Sequence, residues 1–260
     1  MKSLSKFFGQ ECNAWLRGAM LPSEIWWLYK NIIASGAEVL IECGRQDGYS
    51  TKLLAELLTP HDIMIYSIDF DEDKKRLEGI KKMLAAYKVE CVSGDIHQRV
   101  PEILKKVAGK KVAVVQDGPK GWEGMATLLA AAINYEPVLL AQHNLHVGHK
   151  SRKAFQMIAP NPAFLEFDAA SAEIHDFRAK EIEILSNKTP NRDILQTSLG
   201  CMLLNPTVLP LVREIIRDLE PQMKPWSAVA TAKHWAKGDY KYISRMRAGQ
   251  KYSLYRFKKR

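Results

Sequence analysis

The order of apolar and polar positions along the chain predicts short buried strands that alternate with helices. Continuous apolar runs, typical of strands covered on both faces, occupy residues 37–44, 63–69, 88–95, 111–118 and 137–144. Segments with helical spacing lie between them, at residues 51–58, 71–87, 97–107 and 122–133. Because such alternation builds parallel sheets with right-handed crossovers, it predicts a doubly wound α/β fold with helices on both faces.

The pattern extends beyond these strands on both sides. Residues 21–35 have helical spacing after Pro22 and Ser23, so we predict an N-terminal helix with Ser23 as its N-cap. After residue 145 the pattern is less regular, and it predicts helices at 151–159, 171–185 and 207–220 and strands at 163–168 and 198–204. The two additional strands bring the expected sheet to seven, mostly parallel.

Composition limits the classes of protein that fit the chain. Of its 260 residues, 47% are hydrophobic and 26% are charged, the balance of an ordinary globular protein. No apolar run approaches the roughly 20 residues that span a bilayer, and the N-terminal stretch lacks the apolar core of a signal peptide. The cysteines are widely spaced, which predicts buried free thiols and a cytoplasmic location; they are Cys12, Cys43, Cys91 and Cys201.

The net charge of +9 belongs to one segment. Residues 231–260 hold ten basic side chains and a single acid, Asp239, so the preceding part of the chain is neutral. Aromatic residues are interspersed among these bases. Three interpretations remain open: a helix that packs its aromatics on the domain, a patch that binds nucleic acid, or a contact with anionic lipid or polysaccharide.

The residues that follow the predicted strands are the candidates for chemistry, because ligands bind at the carboxyl ends of open parallel sheets. Gly44 and Gly48 follow the first strand and would let a backbone approach a ligand closely. Asp69 ends the second strand, where a carboxylate can accept ribose hydroxyl groups. Glu42 precedes the glycines. It would repel a pyrophosphate but suits a cofactor with an ammonium group.

These residues resemble motifs of a known family. Glu42-x-Gly44-x-x-x-Gly48-x-Ser50 is similar to the first motif of class I S-adenosylmethionine (SAM)-dependent methyltransferases. The match is to the variant found in small-molecule O-methyltransferases and cephalosporin-hydroxylase-like proteins. Other strand ends match in order, over about residues 35–145: Asp69 the ribose-binding acid, Asp95 the residue that contacts adenine, and Asp117 the acid that ends the fourth strand.

The resemblance implies a domain organisation and a set of cofactor contacts. We expect an N-terminal helical segment over residues 1–35 and a Rossmann-like SAM-binding domain over 36–205, with an insert near 169–197. A helical, basic and aromatic extension would occupy 206–260. The implied cofactor-binding residues are Glu42, Gly44, Gly48, Ser50, Asp69, Asp95 and Asp117.

Catalysis is expected at the ends of the fourth and fifth strands. His143 is the preferred general base, because imidazole titrates near neutral pH; a hydrogen-bonded structural histidine is the alternative. Lys120 would lower the pKa of the acceptor or bind an anionic substrate, and Asp117 completes this group.

Metal use is a further expectation that stays open at this point. Metal-dependent relatives place one acid after the fourth strand and an Asp-Asn pair after the fifth. In this chain Asp117 and Asn144 fit that arrangement, with His143 at the place of the second acid. The sequence is therefore compatible with a divalent ion on these three residues or with a metal-independent reaction.

The sequence thus predicts a SAM-dependent methyltransferase that acts at oxygen on a small-molecule or sugar-containing acceptor. The alternatives are a non-catalytic domain that binds SAM or a related nucleoside, a cephalosporin-hydroxylase-like enzyme, and a nucleic-acid methyltransferase that uses the basic tail. The oligomeric state does not follow from the sequence.

Overall fold

The computed structural model describes residues 4–71, 73–120, 122–148, 150–159, 162–165, 168, 172–190 and 195–219. The basic segment, residues 231–260, lies outside the described residues.

A single twisted sheet organises the chain. Its strands are β1 Val39–Cys43, β2 Met64–Asp69, β3 Val89–Ser93, β4 Val112–Gln116, β5 Leu139–Gln142, β6 Ala163–Phe164 and β7 Gly200–Leu203. They lie in the order β3-β2-β1-β4-β5-β7-β6. Strands β1 to β5 pair in parallel, whereas β7 runs antiparallel to both β5 and β6. The prediction of a doubly wound, mostly parallel seven-stranded sheet is confirmed.

The helices cover both faces of this sheet. They are α1 Leu4–Ala14, α2 Pro22–Ser35, α3 Tyr49–Leu58, α4 Lys74–Leu84, α5 Ile96–Lys106, α6 Trp122–Asn134, α7 Lys150–Ile158, α8 Ala172–Ser186 and α9 Val208–Leu219, with a 3-10 turn at Thr59–His61. Helix α1 falls within the helical segment expected over residues 1–35, but the apolar pattern did not predict it as a separate helix. It is stabilised by tertiary packing of Phe7 and Phe8, which are buried.

Side-chain caps fix where several helices begin. Asp73 accepts hydrogen bonds from the backbone at the start of α4, and Asn205 does the same at the start of α9. The predicted N-cap of α2 is wrong, because the helix begins earlier, directly after Leu21. The Glu24 carboxylate accepts from the Leu21 amide at 2.9 Å, so an acid within the first turn takes the capping role expected of Ser23.

The hydrophobic core lies in two layers, one on each face of the sheet. Side chains such as Ile41 of β1 and Val114 of β4 point to the layer formed with α5, α6 and α9. Leu40 and Val115 point to the other layer, which includes α1, α2, α3 and α8. The N-terminal helices therefore share a core with the central strands.

Two further expectations concern the whole chain. None of the helices in the described part of the chain has the length and apolar character that crossing a membrane requires. All four cysteines are free thiols, and three are buried, while Cys91 is half-buried.

Candidate active site

A pocket opens at the carboxyl ends of β1, β2 and β4, with a cavity volume of about 170 Å³. It brings together five of the residues selected from sequence: Gly44, Ser50, Asp69, Asp117 and Lys120. Its other walls are Leu16, Arg17, Gly18, Ala19, Arg45, Gln46, Asp47, Tyr49 and Gly118. The remaining candidates do not line the pocket formed by the described residues; they are Glu42, Gly48, Asp95, His143 and Asn144.

The turn after β1 packs directly on the turn after β4. Gly44 has φ of 95°, and a Cβ on it would lie 2.8 Å from the Cα of Gly118. The Cys43 carbonyl accepts hydrogen bonds from the amides of Asp117 and Gly118, both at 2.8 Å. A glycine is therefore required at residue 44, because the neighbouring backbone leaves no room for a side chain. Gly44 also lines the pocket. The Gly118–Pro119 peptide bond is cis.

Asp69 anchors the loop that follows Gly44. Its Oδ2 accepts from the amides of Arg45 and Gln46 at 2.9 and 2.7 Å, and its Oδ1 accepts from the Phe70 amide at 2.7 Å. A carboxylate offers about four acceptor sites. These three amides leave capacity for about one further donor, on Oδ1, where the sequence suggested two ribose hydroxyl groups.

Glu42 is enclosed within the domain. Its Oε2 accepts hydrogen bonds from the hydroxyls of Thr51 and Ser67, both at 2.6 Å, while its buried Oε1 has no partner among the described residues. Burial raises the pKa of Glu42 to about 7, although the two hydroxyls oppose this and the nearby Asp117 charge adds to it. Glu42 thus retains one acceptor atom that a donor would satisfy.

Three other residues predicted to contact the cofactor have structural roles at the backbone of the protein. Gly48, with φ of 78°, is the N-cap residue of α3. Asp95 is the N-cap of α5 and accepts from the His97 amide at 2.8 Å. The Ser50 hydroxyl accepts from the Met20 amide at 3.2 Å, which ties the start of α3 to the N-terminal segment.

His143 lies between two carboxylates. Its Nδ1 donates to Oδ1 of Asp117 at 2.6 Å, and its Nε2 donates to Oε2 of Glu24 at 3.0 Å. The side chain of Glu24 is fully buried and that of His143 is 7% exposed. The other Glu24 oxygen, Oε1, accepts from the Ser198 amide at 2.6 Å. The two ring nitrogens thus face acceptor-only groups, so both carry hydrogen.

This arrangement makes His143 a buried imidazolium. Burial lowers its pKa, but the Glu24 and Asp117 charges outweigh burial and raise the pKa of His143 to about 10. Burial likewise opposes ionisation of Glu24, and the His143 charge outweighs it and lowers the pKa of Glu24. A protonated ring with both nitrogens engaged has no lone pair to receive a proton, so this geometry favours the alternative of a hydrogen-bonded structural histidine, and the role of His143 as general base stays a prediction.

The same geometry does not fit the expected metal site. A metal-bound histidine coordinates through an unprotonated ring nitrogen, whereas both nitrogens of His143 are committed to carboxylates. Asn144 follows in a left-handed conformation with φ of 62°. Within the part of the chain that the structure describes, no group of three His, Cys, Asp or Glu side chains is arranged to hold a metal ion.

Glu24 is the residue that sequence reasoning missed. Pro22 begins α2, and the turn that follows directs Glu24 at the end of β5, 119 residues further along the chain. Glu24 is the only acid in α2, in a segment dominated by Ile, Trp and Leu. An isolated acid among buried apolar positions needs a partner, and that rule is the signal that the sequence offered.

The segment between α1 and α2 was also missed as part of the site. Leu16, Arg17, Gly18 and Ala19 form one wall of the pocket. The segment is held by the Met20–Ser50 hydrogen bond at its end, and by Tyr49, whose hydroxyl donates to the Glu11 carbonyl at 2.8 Å. No motif marks it, because its role depends on where α1 packs.

Comparison with known proteins identifies solved structures that are similar to this chain. No protein-family model matches the sequence, and no curated protein matches it. Among solved structures, CalS11, a TDP-rhamnose 3'-O-methyltransferase of calicheamicin biosynthesis, is 17% identical, with a TM-score of 0.39 over 46% of this chain and 60% of that chain. The chain therefore spans less than two thirds of the length of CalS11.

Two other solved structures are similar over more of the chain. The O-methyltransferase TomG from Streptomyces achromogenes, involved in tomaymycin synthesis and solved with SAM, is 16% identical, with a TM-score of 0.44 over 77% of this chain and 90% of that chain. An O-methyltransferase from Bacillus cereus in complex with SAH (S-adenosylhomocysteine) is 15% identical, with a TM-score of 0.44 over 63% and 82%. At these values, the fold assignment rests on the strand order of the sheet itself.

Proposed function

We propose that this chain is a SAM-dependent methyltransferase that methylates a hydroxyl oxygen of a small-molecule or saccharide acceptor. One observation carries the proposal. Residues of three separate sequence motifs line one pocket at the carboxyl ends of the strands, where this class of sheet binds its ligands: Gly44 and Ser50 of the first motif, Asp69, and Asp117.

The residues present fit SAM. We assign Asp69 Oδ1 to a ribose hydroxyl. Glu42 is fully buried and does not line the pocket, and its predicted role towards the ammonium group of the cofactor stays a proposal. Asp95, Gly48 and Ser50 keep their predicted places around the cofactor as proposals. When bound, SAM supplies a methyl group whose bond to sulfur breaks as a bond to the acceptor oxygen forms, leaving SAH.

Asp117 is the group we assign to the acceptor proton. Its Oδ1 is held by His143, and within the described residues no other hydrogen bond to its carboxylate is found. Asp117 lines the pocket, with its side chain 10% exposed. Oδ2 therefore remains available to accept the hydrogen bond of an acceptor hydroxyl and then its proton.

His143 and Glu24 are positioning residues in this scheme. The Glu24 carboxylate holds the imidazolium, and the imidazolium holds Oδ1 of Asp117. These contacts fix the direction of Asp117 Oδ2, because Oδ1 of the same carboxylate is hydrogen-bonded to the buried imidazolium of His143, which is itself paired with Glu24. We infer that His143 acts on the reaction through Asp117 and makes no contact with the acceptor itself.

Cofactor binding tests the proposal most directly. Calorimetric titration of the full-length protein with SAM, SAH and NAD should give binding of the first two and none of the third. NAD is the matched control, because it shares the adenosine ribose but carries a pyrophosphate that Glu42 disfavours. Absence of heat with SAH, or heat with NAD alone, would overturn the proposal.

The role of Asp117 is tested separately, with labelled SAM and a panel of hydroxylated acceptors. We expect Asp117→Asn to lower kcat by about 10²–10⁴-fold, the usual contribution of a general base. The matched control is Asp47→Asn, which changes another acid of the same pocket and should lower kcat far less. Equal losses in the two variants would show that the pocket needs negative charge and not a base at residue 117.

A further inference from the structure

Two cations at the mouth of the pocket have no acidic partner in the described part of the chain. Arg17 lies between α1 and α2, and Lys120 follows β4; both line the pocket and both are exposed. Neither side chain makes a hydrogen bond or an ion pair within the residues that the structure describes. They reach the pocket from segments about 100 residues apart in the chain, so their shared position is a product of the fold.

The acids of the same pocket are each engaged elsewhere. Asp47 lies 3.8 Å from Arg76, on α4. Asp69 accepts three backbone amides, and Asp117 is paired with His143. These three carboxylates therefore leave Arg17 and Lys120 without a counter-charge.

The third pocket cation is neutralised within the fold. The Arg45 guanidinium is fully buried, and it donates to the Asp71 carboxylate and to the Ser67 carbonyl. Asp71 is also held by the Ser93 hydroxyl at 2.8 Å. Arg45 therefore has a structural role, since it is buried and paired with an acid. Arg17 and Lys120 are neither buried nor paired within the described residues.

We infer that the pocket takes an acceptor that carries an anionic group, a phosphate or a carboxylate, close to the hydroxyl that is methylated. The inference rests on the proposed function and names the substrate class of the same site. A guanidinium binds such a group through two parallel hydrogen bonds, and an ammonium adds a point charge. An anion also offsets the positive charge that a sulfonium cofactor brings into the pocket.

A competing use of the two cations is the carboxylate of the cofactor's own methionine part. In that case, removing Arg17 or Lys120 weakens cofactor binding directly. In the inferred arrangement it weakens only the binding of a separate anion. The two uses are thus distinguished by measuring cofactor affinity and anion affinity in the same variants.

The test is calorimetry on the full-length protein saturated with SAH, at constant ionic strength, with inorganic phosphate and acetate as separate probes. The double variant Arg17→Gln/Lys120→Gln removes both cations. Its matched control is Lys153→Gln/Lys180→Gln, which removes two exposed cations of α7 and α8. We expect anion affinity to fall by about tenfold or more in the first double variant and to stay unchanged in the control.

The tighter of the two probes identifies the anionic group, and unchanged SAH affinity in both double variants completes the expected result. A fall in SAH affinity with Arg17→Gln/Lys120→Gln would assign the cations to the cofactor and overturn the inference. Equal loss of anion binding in the control would also overturn it. A wild-type protein that binds no SAH contradicts the proposed function, whereas one that binds SAH but neither anion contradicts only the acceptor inference.

Discussion

Gly44 shows how one residue can satisfy two requirements. It lies on the pocket wall, and it also allows the backbones after β1 and β4 to meet. The second requirement is steric and local to the fold. It predicts a loss of stability whether or not a cofactor is bound.

Substitution of Gly44 by alanine should therefore destabilise the protein. The left-handed φ disfavours a side chain, and the new Cβ would overlap the Gly118 backbone, so we expect a loss of about 3 kcal/mol or more. Gly79→Ala is the matched control. It lies in α4, where an added Cβ would meet nothing within 4 Å, and should stabilise by about 0.5–1 kcal/mol. Urea unfolding measures both, and equal effects would contradict the steric argument.

The buried histidine gives a second prediction, on pH. The pKa of His143 rises from 6.5 in the unfolded chain to about 10 in the folded protein. Its stabilisation is therefore complete below about pH 6.5 and is lost as the pH rises towards 10. The free energy of unfolding of the wild type should fall across this interval.

His143→Gln should remove that slope. It also leaves Glu24 and Asp117 without their cation, at a cost of about 3–5 kcal/mol at neutral pH. Lys153→Gln, a change at an exposed cation of α7, should keep both the stability and the slope. Chemical denaturation at several pH values measures this, and a wild type whose stability is flat above pH 6.5 would contradict a buried imidazolium.

The sequence located some site residues and not others for a physical reason. Asp69 and Asp117 are found because the end of a strand fixes the position of the next residue relative to the sheet. The role of Glu24 depends on a helix that docks against β5, and no local pattern encodes that docking. His143 was placed correctly at a strand end, but its charge state depends on Glu24 and therefore did not follow.

At the scale of elements, α2 is attached to α8 by a polar contact within the core. The amide and the hydroxyl of Ser23 donate to the Glu181 carboxylate at 2.8 and 2.7 Å, and Arg178 also pairs with Glu181. Burial raises the pKa of Glu181, although these partners oppose it. The contact links the predicted insert to the N-terminal helix.

Ser23→Ala should weaken this link. The Ser23 hydroxyl donates to the buried Glu181 and accepts from Arg178, so its loss is expected to cost about 1.5–3 kcal/mol, with faster amide exchange in α8. Ser35→Ala, at the other end of α2, removes only a bond to the nearby Ile32 carbonyl and should cost about 0.5 kcal/mol or less. If both variants lose the same stability, the contact between α2 and α8 contributes nothing specific.

The predicted strands agree best with the structure where apolar residues form a continuous run along the sequence. All five residues of β1 are buried, as are those of β4, and both strands were evident as apolar runs. Strand β6 is only two residues long, shorter than predicted, because its sole pairing in the described residues is with β7. Edge segments of this kind depend on a partner that comes later in the chain.

At the scale of the whole molecule, the N-terminal helices and the sheet behave as one packed unit. Ile25 and Leu28 of α2 belong to the same core layer as Leu40 of β1. The boundaries predicted at residues 35 and 205 stay a prediction, as does the cytoplasmic location. Shared packing favours a single unfolding transition across the first boundary.

Hydrogen exchange tests whether α2 and the sheet unfold in a single transition. Amides within residues 25–32 of α2 and within β4 should open with the same free energy and the same dependence on denaturant. The exposed residues 16–18 serve as the internal control, and their amides should exchange with a lower free energy of opening. Opening of α2 at a denaturant concentration that leaves β4 protected would instead support a separate N-terminal unit.

The antiparallel strand has a consequence for how the chain is made. Of the strands in the described residues, β7 is synthesised last, yet it lies between β5 and β6. Until residue 203 has left the ribosome, the backbone of β5 presents an unpaired edge, and β6 lacks the neighbour that holds it. The five adjacent strands from β3 to β5 can form earlier, so chaperone dependence during translation should be greatest while residues 143–199 emerge.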